Sequence, residues 1–425
     1  MRDEEDGKGG GHRLVWDPTG VTSPLERIVV LAHASVLDRS GYARRVVDSA
    51  QALRRALPTT SVVVASFESP SRLRDREARR AVQAELQAAS VGFAVLHAWP
   101  RRLGLARLSD RLAARALARW CRRNATDVVH AHGPRASRAA IRSAKGTDVR
   151  VVADVHGDRA AERRLEAGAG DDRGTVPDPL ESSVVREANA AVFASEALAE
   201  RFQVQGRPFA VVPCLVPDAR IPTDDVAEGR RRERRAAWGI GDDVWVAAYA
   251  GSLASWQEFP RVARVVAHLT SRVPQLRFLV LTPSKAQAAE ALARAGVPRG
   301  RFVVLSPRSE EVVDHLLAAD GAILCRREAL ANTLAFPTKF AEYLAAGLEV
   351  VASDAVPAVA GRIADTEGLG RVLSPSKDDA TWAAALAGAS RPSSPAERAS
   401  RRAYARAHLA WSCAIPSYAT LYEAV

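Results

Sequence analysis

Two alternating patterns limit this chain's fold more than any other feature. Short, uninterrupted apolar runs recur along it, and most are followed by a longer stretch with apolar residues at helical spacing. A run without polar interruption marks a strand buried on both faces, as in a parallel sheet covered by helices. The runs at 27–32 (RIVVLA), 61–66 (SVVVAS), 92–96, 127–130, 149–155, 190–194 and 209–212 form one series. Those at 244–250 (VWVAAYA), 277–281, 301–305, 321–324 and 349–352 form a second. Strands alternating with helices predict parallel, doubly wound sheets.

Between the series, 213–226 is rich in proline and acidic residues and reads as a linker, followed by a helix over 228–238. The last stretch, 394–425, is helical and carries Trp411, Tyr418 and Tyr422. A chain of 425 residues suits two α/β domains better than one core. The expected division is a disordered tail at 1–24, a first Rossmann-like domain at 25–221, a second at 222–395, and a C-terminal helix at 396–425 that crosses back. Two such domains turn the carboxyl ends of their strands toward one cleft, where ligands bind in folds of this kind.

Composition narrows the partners. The formal net charge is +11, carried almost wholly by arginine, with lysine only at Lys8, Lys145, Lys285, Lys339 and Lys377. Such an excess favours an anionic partner. The basic residues are spread along the chain with no aromatic-interleaved patch, so no nucleic-acid partner is expected. The four cysteines are scattered and form no CxxC pair, so they suggest neither a disulfide framework nor a zinc site, and a reducing cytoplasm is the simplest home. The charged, glycine-rich start lacks the apolar region of a signal peptide, and no apolar run approaches the roughly 18–20 residues of a membrane span. No G-x-G-x-x-G follows the first strand of either series, which speaks against a dehydrogenase. Residues 101–123 form a basic amphipathic pattern. It fits either an interfacial helix on anionic lipid or a domain helix with an arginine-rich solvent face.

The segment FPTKFAEYLAAGLEVVA at 336–352 resembles the donor-site helix and strand of glycosyltransferase family 4, with Glu342 in the E-x-x-x-x-G pattern. Other pieces resemble that family in the same order. They are HASVLDRSGYARR at 33–45, DVVHAHG at 127–133, ADVHG at 153–157, AAVFASEALAERF at 190–202, VVPCLVPDARI at 211–221, YAGSLASWQEF at 249–259 and WSCAIPSYATLYEAV at 411–425. The resemblance implies a GT-B fold, two Rossmann-like parallel-sheet domains facing a cleft. It also implies transfer of a sugar from a nucleotide diphosphate sugar with retention of configuration. No metal or other cofactor is implied; the nucleotide sugar is a co-substrate. The acceptor would be a glycan, a lipid-linked molecule or a small molecule. An anionic membrane surface on the cytoplasmic side is a further expected partner.

The chemistry asks for positive potential where the diphosphate leaving group develops charge. A helix starting near Pro337 offers free N–H groups and a positive dipole end, and Lys339 adds a full charge in its first turn. Glu342, one turn on, can accept hydrogen bonds from ribose hydroxyls. By resemblance Gly41, Gly251 and Ser252 join Lys339 and Glu342 around the diphosphate and ribose, and Arg326 is placed there as a replacement for charge the family supplies elsewhere. Asn332, Thr333, Phe336 and Pro337 face the sugar, and Ser306, Pro307 and Arg308 hold the nucleobase. His156, at a strand end, lies under the transferred sugar and acts with Glu342 in catalysis. Arg45 and His132 fall on the acceptor side, and His130 is expected to be a satisfied core histidine.

The pattern departs from the family at three places. A first glutamate is replaced by Leu334, and the family's cationic pair falls on the uncharged Ser252 and Gln257. Lys339, Arg326 or Arg327 must then supply the charge. The rival readings are a non-catalytic sugar-nucleotide-binding subunit and a nucleotide-sugar 2-epimerase of the same fold.

Overall fold

The computed structural model describes residues 25–38, 40–97, 105–168, 174–204, 206–388 and 391–425. The start at 1–24, expected to be a disordered tail, lies outside them, as do residues 101–104 of the basic amphipathic pattern.

Two parallel sheets form the molecule. The first joins β1 (Arg27–Ala32), β2 (Ser61–Glu68), β3 (Gly92–His97), β4 (Val128–His132), β5 (Arg150–Val155), β6 (Ala190–Phe193) and β7 (Phe209–Val211). Its strand order is β3-β2-β1-β4-β5-β6-β7. The second joins β8 (Val246–Ala250), β9 (Arg277–Leu281), β10 (Phe302–Leu305), β11 (Gly321–Leu324), β12 (Glu349–Ser353) and β13 (Gly370–Leu373), in the order β10-β9-β8-β11-β12-β13. The central strands are fully buried because helices cover both faces, as their unbroken apolar runs require. The run at 370–373 (GRVL) is too short and too polar to be read from the sequence. It forms an edge strand because Gly370, at φ 159°, comes within contact of the Val350 backbone, where a side chain would not fit.

Each sheet reverses its winding once, between β1 and β4 and between β8 and β11. In doubly wound sheets these reversals open a crevice beyond the strand ends. Gly41 follows β1, Gly251 follows β8 and Arg326 follows β11, so the topology brings these residues to the crevice.

Two strands of chain connect the domains side by side. Val216 accepts from Trp411 N (3.1 Å) and donates to Leu409 O (2.9 Å). Beyond that crossing the Ile415–Glu423 helix packs Tyr418, Leu421 and Tyr422 into the core beneath the Gly41–Ala56 helix of the first domain. The arginine-rich run that opens the second domain is only partly a solvated face. Arg231 and Arg235 of the Asp224–Ala237 helix are buried and donate to Asp320, with Arg231 Nη2 2.5 Å from Oδ1.

The domains also touch directly. Leu334 and Leu330 of the second domain pack into an apolar cluster of the first, against Val155, Phe193 and Leu198. Ser195 Oγ donates to Leu334 O at 2.6 Å, and Arg327 Nη2 donates to Leu165 O at 2.8 Å. Position 334, where the resemblance expects a glutamate, is thus an apolar interdomain contact, and leucine is the residue such a contact needs. Arg327 likewise ties the domains together.

Candidate active site at the domain interface

A cavity of ≈ 350 Å³ lies between the domains. From the first domain Gly41, Tyr42 and His156 line it; from the second, Ser309, Thr338 and Glu342; from the connection, Arg220. A wider groove of ≈ 730 Å³ adjoins it and shares Arg44, Pro217, Arg220 and Ser309 as walls.

The wall on the second domain is the Thr338–Ala345 helix, whose amino end reaches the cavity through Thr338. Pro337 stands at the N-cap with φ −76°, and no side chain caps the helix. The Phe340 N–H turns back to Pro337 O at 3.1 Å, while among the described residues those of Thr338 and Lys339 have no protein acceptor and can meet a ligand. Lys339 and Glu342 diverge. Glu342 faces the cavity, half-buried, and burial pushes its carboxyl up to about 7 against the pull of Arg220 and Lys339. Lys339 is buried beneath the Gly251 turn, with Nζ 2.5 Å from Gln257 Oε1 and 4.1 Å from the Tyr249 ring centroid. Burial, reinforced by Arg326 and opposed by Glu342, holds its ammonium well below the usual lysine value.

Gly251 is glycine for a definite reason. A Cβ there would sit 2.4 Å from Lys339 Cε, and its φ is +128°. Arg326 is also buried, donating from Nη1 to Asn332 Oδ1 at 3.3 Å. Among the described residues neither Lys339 nor Arg326 has a carboxylate within salt-bridge distance, although both lie beside Tyr249. A buried charge without a counter-ion costs several kcal/mol. Both side chains stand behind the helix start, where an anion would supply the missing counter-charge and favour the ammonium form of Lys339. The sequence had placed the family's cationic pair on uncharged residues; here Lys339 reaches Gln257, at one of those positions, from the helix.

On the first domain, β4 and β5 run side by side in register, with His132 opposite Asp154. Period-two alternation sends His130, His132, Asp154 and His156 to one face, at the carboxyl ends of β4 and β5. Asp154, fully buried, is the centre. Arg45 Nη2 lies 3.1 Å from its Oδ1 and His156 Nε2 3.4 Å, while His132 Nδ1 and His130 Nε2 lie 3.3 and 3.4 Å from Oδ2. Burial opposes ionisation of Asp154, but Arg45, His132 and His156 outweigh it and hold the carboxyl well below its ordinary value. His130 Nδ1 meets the Tyr422 hydroxyl at 2.9 Å, so the C-terminal helix closes the cluster. Ligand atoms of His130, His132 and Asp154 fall within 4.8 Å of one another, a spacing a metal ion could use. Arg45 already neutralises the carboxylate, however, and the protein's own donors satisfy the set.

Of the three histidines only His156 lines the cavity, with a quarter of its side chain exposed, and Arg45 lines it beside His156. Burial, opposed by Asp154 and aided by Arg45, lowers its pKa to about 4, so it is neutral near pH 7. Its Nε2 sits 3.0 Å from His132 Nδ1.

Several expected site residues stand elsewhere. His132 is 1 % exposed and bonded to Ser49 Oγ at 2.9 Å, so it backs His156 and does not line an acceptor site. Arg45, 7 % exposed, lines the cavity but is committed to Asp154 and to the Val212 and Pro213 carbonyls. Phe336 and Pro337 are buried in the second domain, Phe336 against Phe340 and Arg362, and neither is on the cavity wall. Asn332 is buried between Arg326 and the Arg327 carbonyl, and the Thr333 hydroxyl bonds back to Ala329 O. Ser252 is exposed on the Gly251 turn, its carbonyl accepting from the Tyr249 hydroxyl. Ser306, Pro307 and Arg308 follow edge strand β10; Arg308 is paired with Glu311, and Ser309 just after them reaches the cavity.

Two residues were not singled out in the sequence. Asp154 carries a signal in retrospect, since D-x-H at a strand end places both side chains on one face. Arg220 carries none. It sits in the domain connection, donates to Ser309 O at 3.1 Å and lies in the field of Glu342.

A sequence profile of Glycosyltransferase Family 4 matches residues 39–220, and one of Glycosyl transferases group 1 matches residues 245–390. No curated protein sequence matches the chain significantly. Among solved structures, a glycosyltransferase from Rickettsia africae superposes with a TM-score of 0.69 at 13% identity, covering 94% of this chain and 100% of that one. HepE of Anabaena in complex with UDP gives 0.67 at 16% identity, over 94% and 100% of the two chains. Sucrose-phosphate synthase from Thermosynechococcus elongatus gives 0.64 at 15%, over 94% and 98%. These structures share the two-domain fold, and the two profiles divide between its sheets; the chain belongs to the glycosyltransferases of GT-B fold.

Proposed function

We propose that this chain moves a sugar from a nucleotide diphosphate sugar to an acceptor hydroxyl, with retention of configuration and without a metal. The carrying observation is the pair of buried basic side chains, Lys339 and Arg326, which among the described residues have no carboxylate within salt-bridge distance, beside the uncapped start of the Thr338–Ala345 helix. Leaving of the nucleotide diphosphate puts negative charge where these groups stand. Preorganised cations and N–H donors stabilise that charge without reorganising. Glu342, on the cavity wall, is suited to accept from the ribose hydroxyls. Across the cavity His156 is neutral, and its Nε2 is engaged by the cluster. Nδ1 remains for a hydroxyl of the transferred sugar. The wider groove along the Gly41–Ala56 helix is the acceptor's place. HepE has been solved with UDP and with UDP-glucose, which supports a nucleotide-sugar donor for this fold. The four cysteines are free, in keeping with a reducing cytoplasm.

The test is to incubate the chain with a panel of nucleotide sugars, with and without hydroxylated acceptors. Acceptor-dependent release of nucleoside diphosphate is expected, falling about a hundredfold or more in Glu342→Ala through loss of donor hydrogen bonds. A new nucleotide sugar formed without acceptor would establish an epimerase instead, and binding without turnover a non-catalytic subunit.

A further inference from the structure

The Ala106–Arg123 helix shows a second charged surface, remote from the donor site. Its inner face, with Ala113, Leu117 and Cys121, is part of the first-domain core. Its outer face carries Arg107, Arg111, Arg115, Arg119 and Arg123, spaced by four and all exposed. Like charges at that spacing are neighbours on a helix and repel. Among the described residues no carboxylate pairs with any of the five. The helix's single acid, Asp110, is turned inward and bonded to Arg138. Among the described residues that repulsion has no carboxylate to offset it, so the row is left to solvent ions or to an anionic partner.

Two leucines at the start of the row set its chemistry. Leu105 and Leu108 are each 47 % exposed, among the most exposed large apolar residues described. A cationic row beside exposed leucines matches a helix lying in a lipid headgroup layer, where arginines meet anionic headgroups and leucines enter the acyl boundary. A nucleic-acid site would use the cations and leave the leucines exposed to water. Position agrees as well. Asp110 lines a small cavity with His33, which follows β1, so the leucine end of the helix lies on the cleft side of the sheet.

We propose that this face docks the protein on an anionic lipid bilayer and holds the cleft near the membrane surface, within reach of a lipid-borne acceptor. The docking stands apart from the transferase reading, and either can fail alone.

Sedimentation of the full chain with phosphatidylcholine vesicles, with and without phosphatidylglycerol, tests it. Binding only to the phosphatidylglycerol vesicles, weakened by salt, is expected. Charge reversal in Arg111→Glu/Arg115→Glu/Arg119→Glu should weaken partitioning by about tenfold or more, with melting temperature and nucleotide binding unchanged. Leu105→Ser/Leu108→Ser should abolish the fraction that remains bound at high salt. Equal binding to both vesicles, no binding, or an unaffected triple variant would overturn the proposal. So would single-stranded RNA bound more tightly than the vesicles through the same arginines.

Discussion

At the residue scale the site is governed by charges placed where water cannot reach. Gly251 and Lys339 are interlocked, since the missing Cβ is the space the lysine stem occupies. Gly251→Ala should therefore displace Lys339. Nucleoside diphosphate affinity is expected to fall about tenfold while the domain stays folded, with a loss of roughly 1–3 kcal/mol at the strained φ; calorimetric titration and thermal melting would read the two effects separately. The histidine cluster predicts a pH dependence of stability. The folded-state pKa of His156 is depressed to about 4 from 6.5, and that of His132 is lowered too. The unfolded chain takes up these protons first, so stability is full above pH 6.5 and is lost as pH falls toward 4. His156 alone accounts for on the order of 2–3 kcal/mol. Urea melts across that range should show the loss, and His156→Asn should flatten it. Residues such as Glu342 and His156 were legible in the sequence because a short motif surrounds each. Asp154 meets Arg45 across 109 residues, and no local pattern announces such a pairing.

At the scale of elements, strands and helices followed from apolar periodicity because both sheets are buried on both faces. Where an element's environment is mixed, periodicity failed. Edge strand β13 is the case in point, and burial is harder still to read, since Phe336 lies in the loop ahead of a helix and yet joins the core. The Leu330–Thr333 helix is the most telling element. Beside Glu342 its sequence suggests a sugar-binding loop that has lost its acid, yet its neighbour Leu334 fills an apolar socket on the other domain. Leu334→Glu should bury a charge unless the domains part. The expected outcome is a larger radius of gyration by X-ray scattering and a lower melting temperature, by roughly the 2–5 kcal/mol of a lost core leucine. Unchanged scattering and stability would mean that the contact does not hold the domains together.

At the scale of the molecule, two sheets with matching reversals, two connections running side by side and an apolar contact enclose one cavity. Gly41 contributes an open space to it, since nothing lies within 4 Å of where its Cβ would be. Opposite stands a helix start with two buried basic side chains behind it. Everything proposed about donor binding depends on that anion site gripping a diphosphate and not merely a nucleoside. Titration calorimetry of a nucleoside diphosphate and its monophosphate, into the native chain and Lys339→Met, measures this grip directly. The diphosphate should bind the native chain at least about tenfold more tightly, a charge-assisted contact of roughly 1.4 kcal/mol or more. In the variant that preference should vanish while the monophosphate still binds. Equal affinity of the two nucleotides for the native chain, or a preference that survives loss of the lysine, would contradict the account.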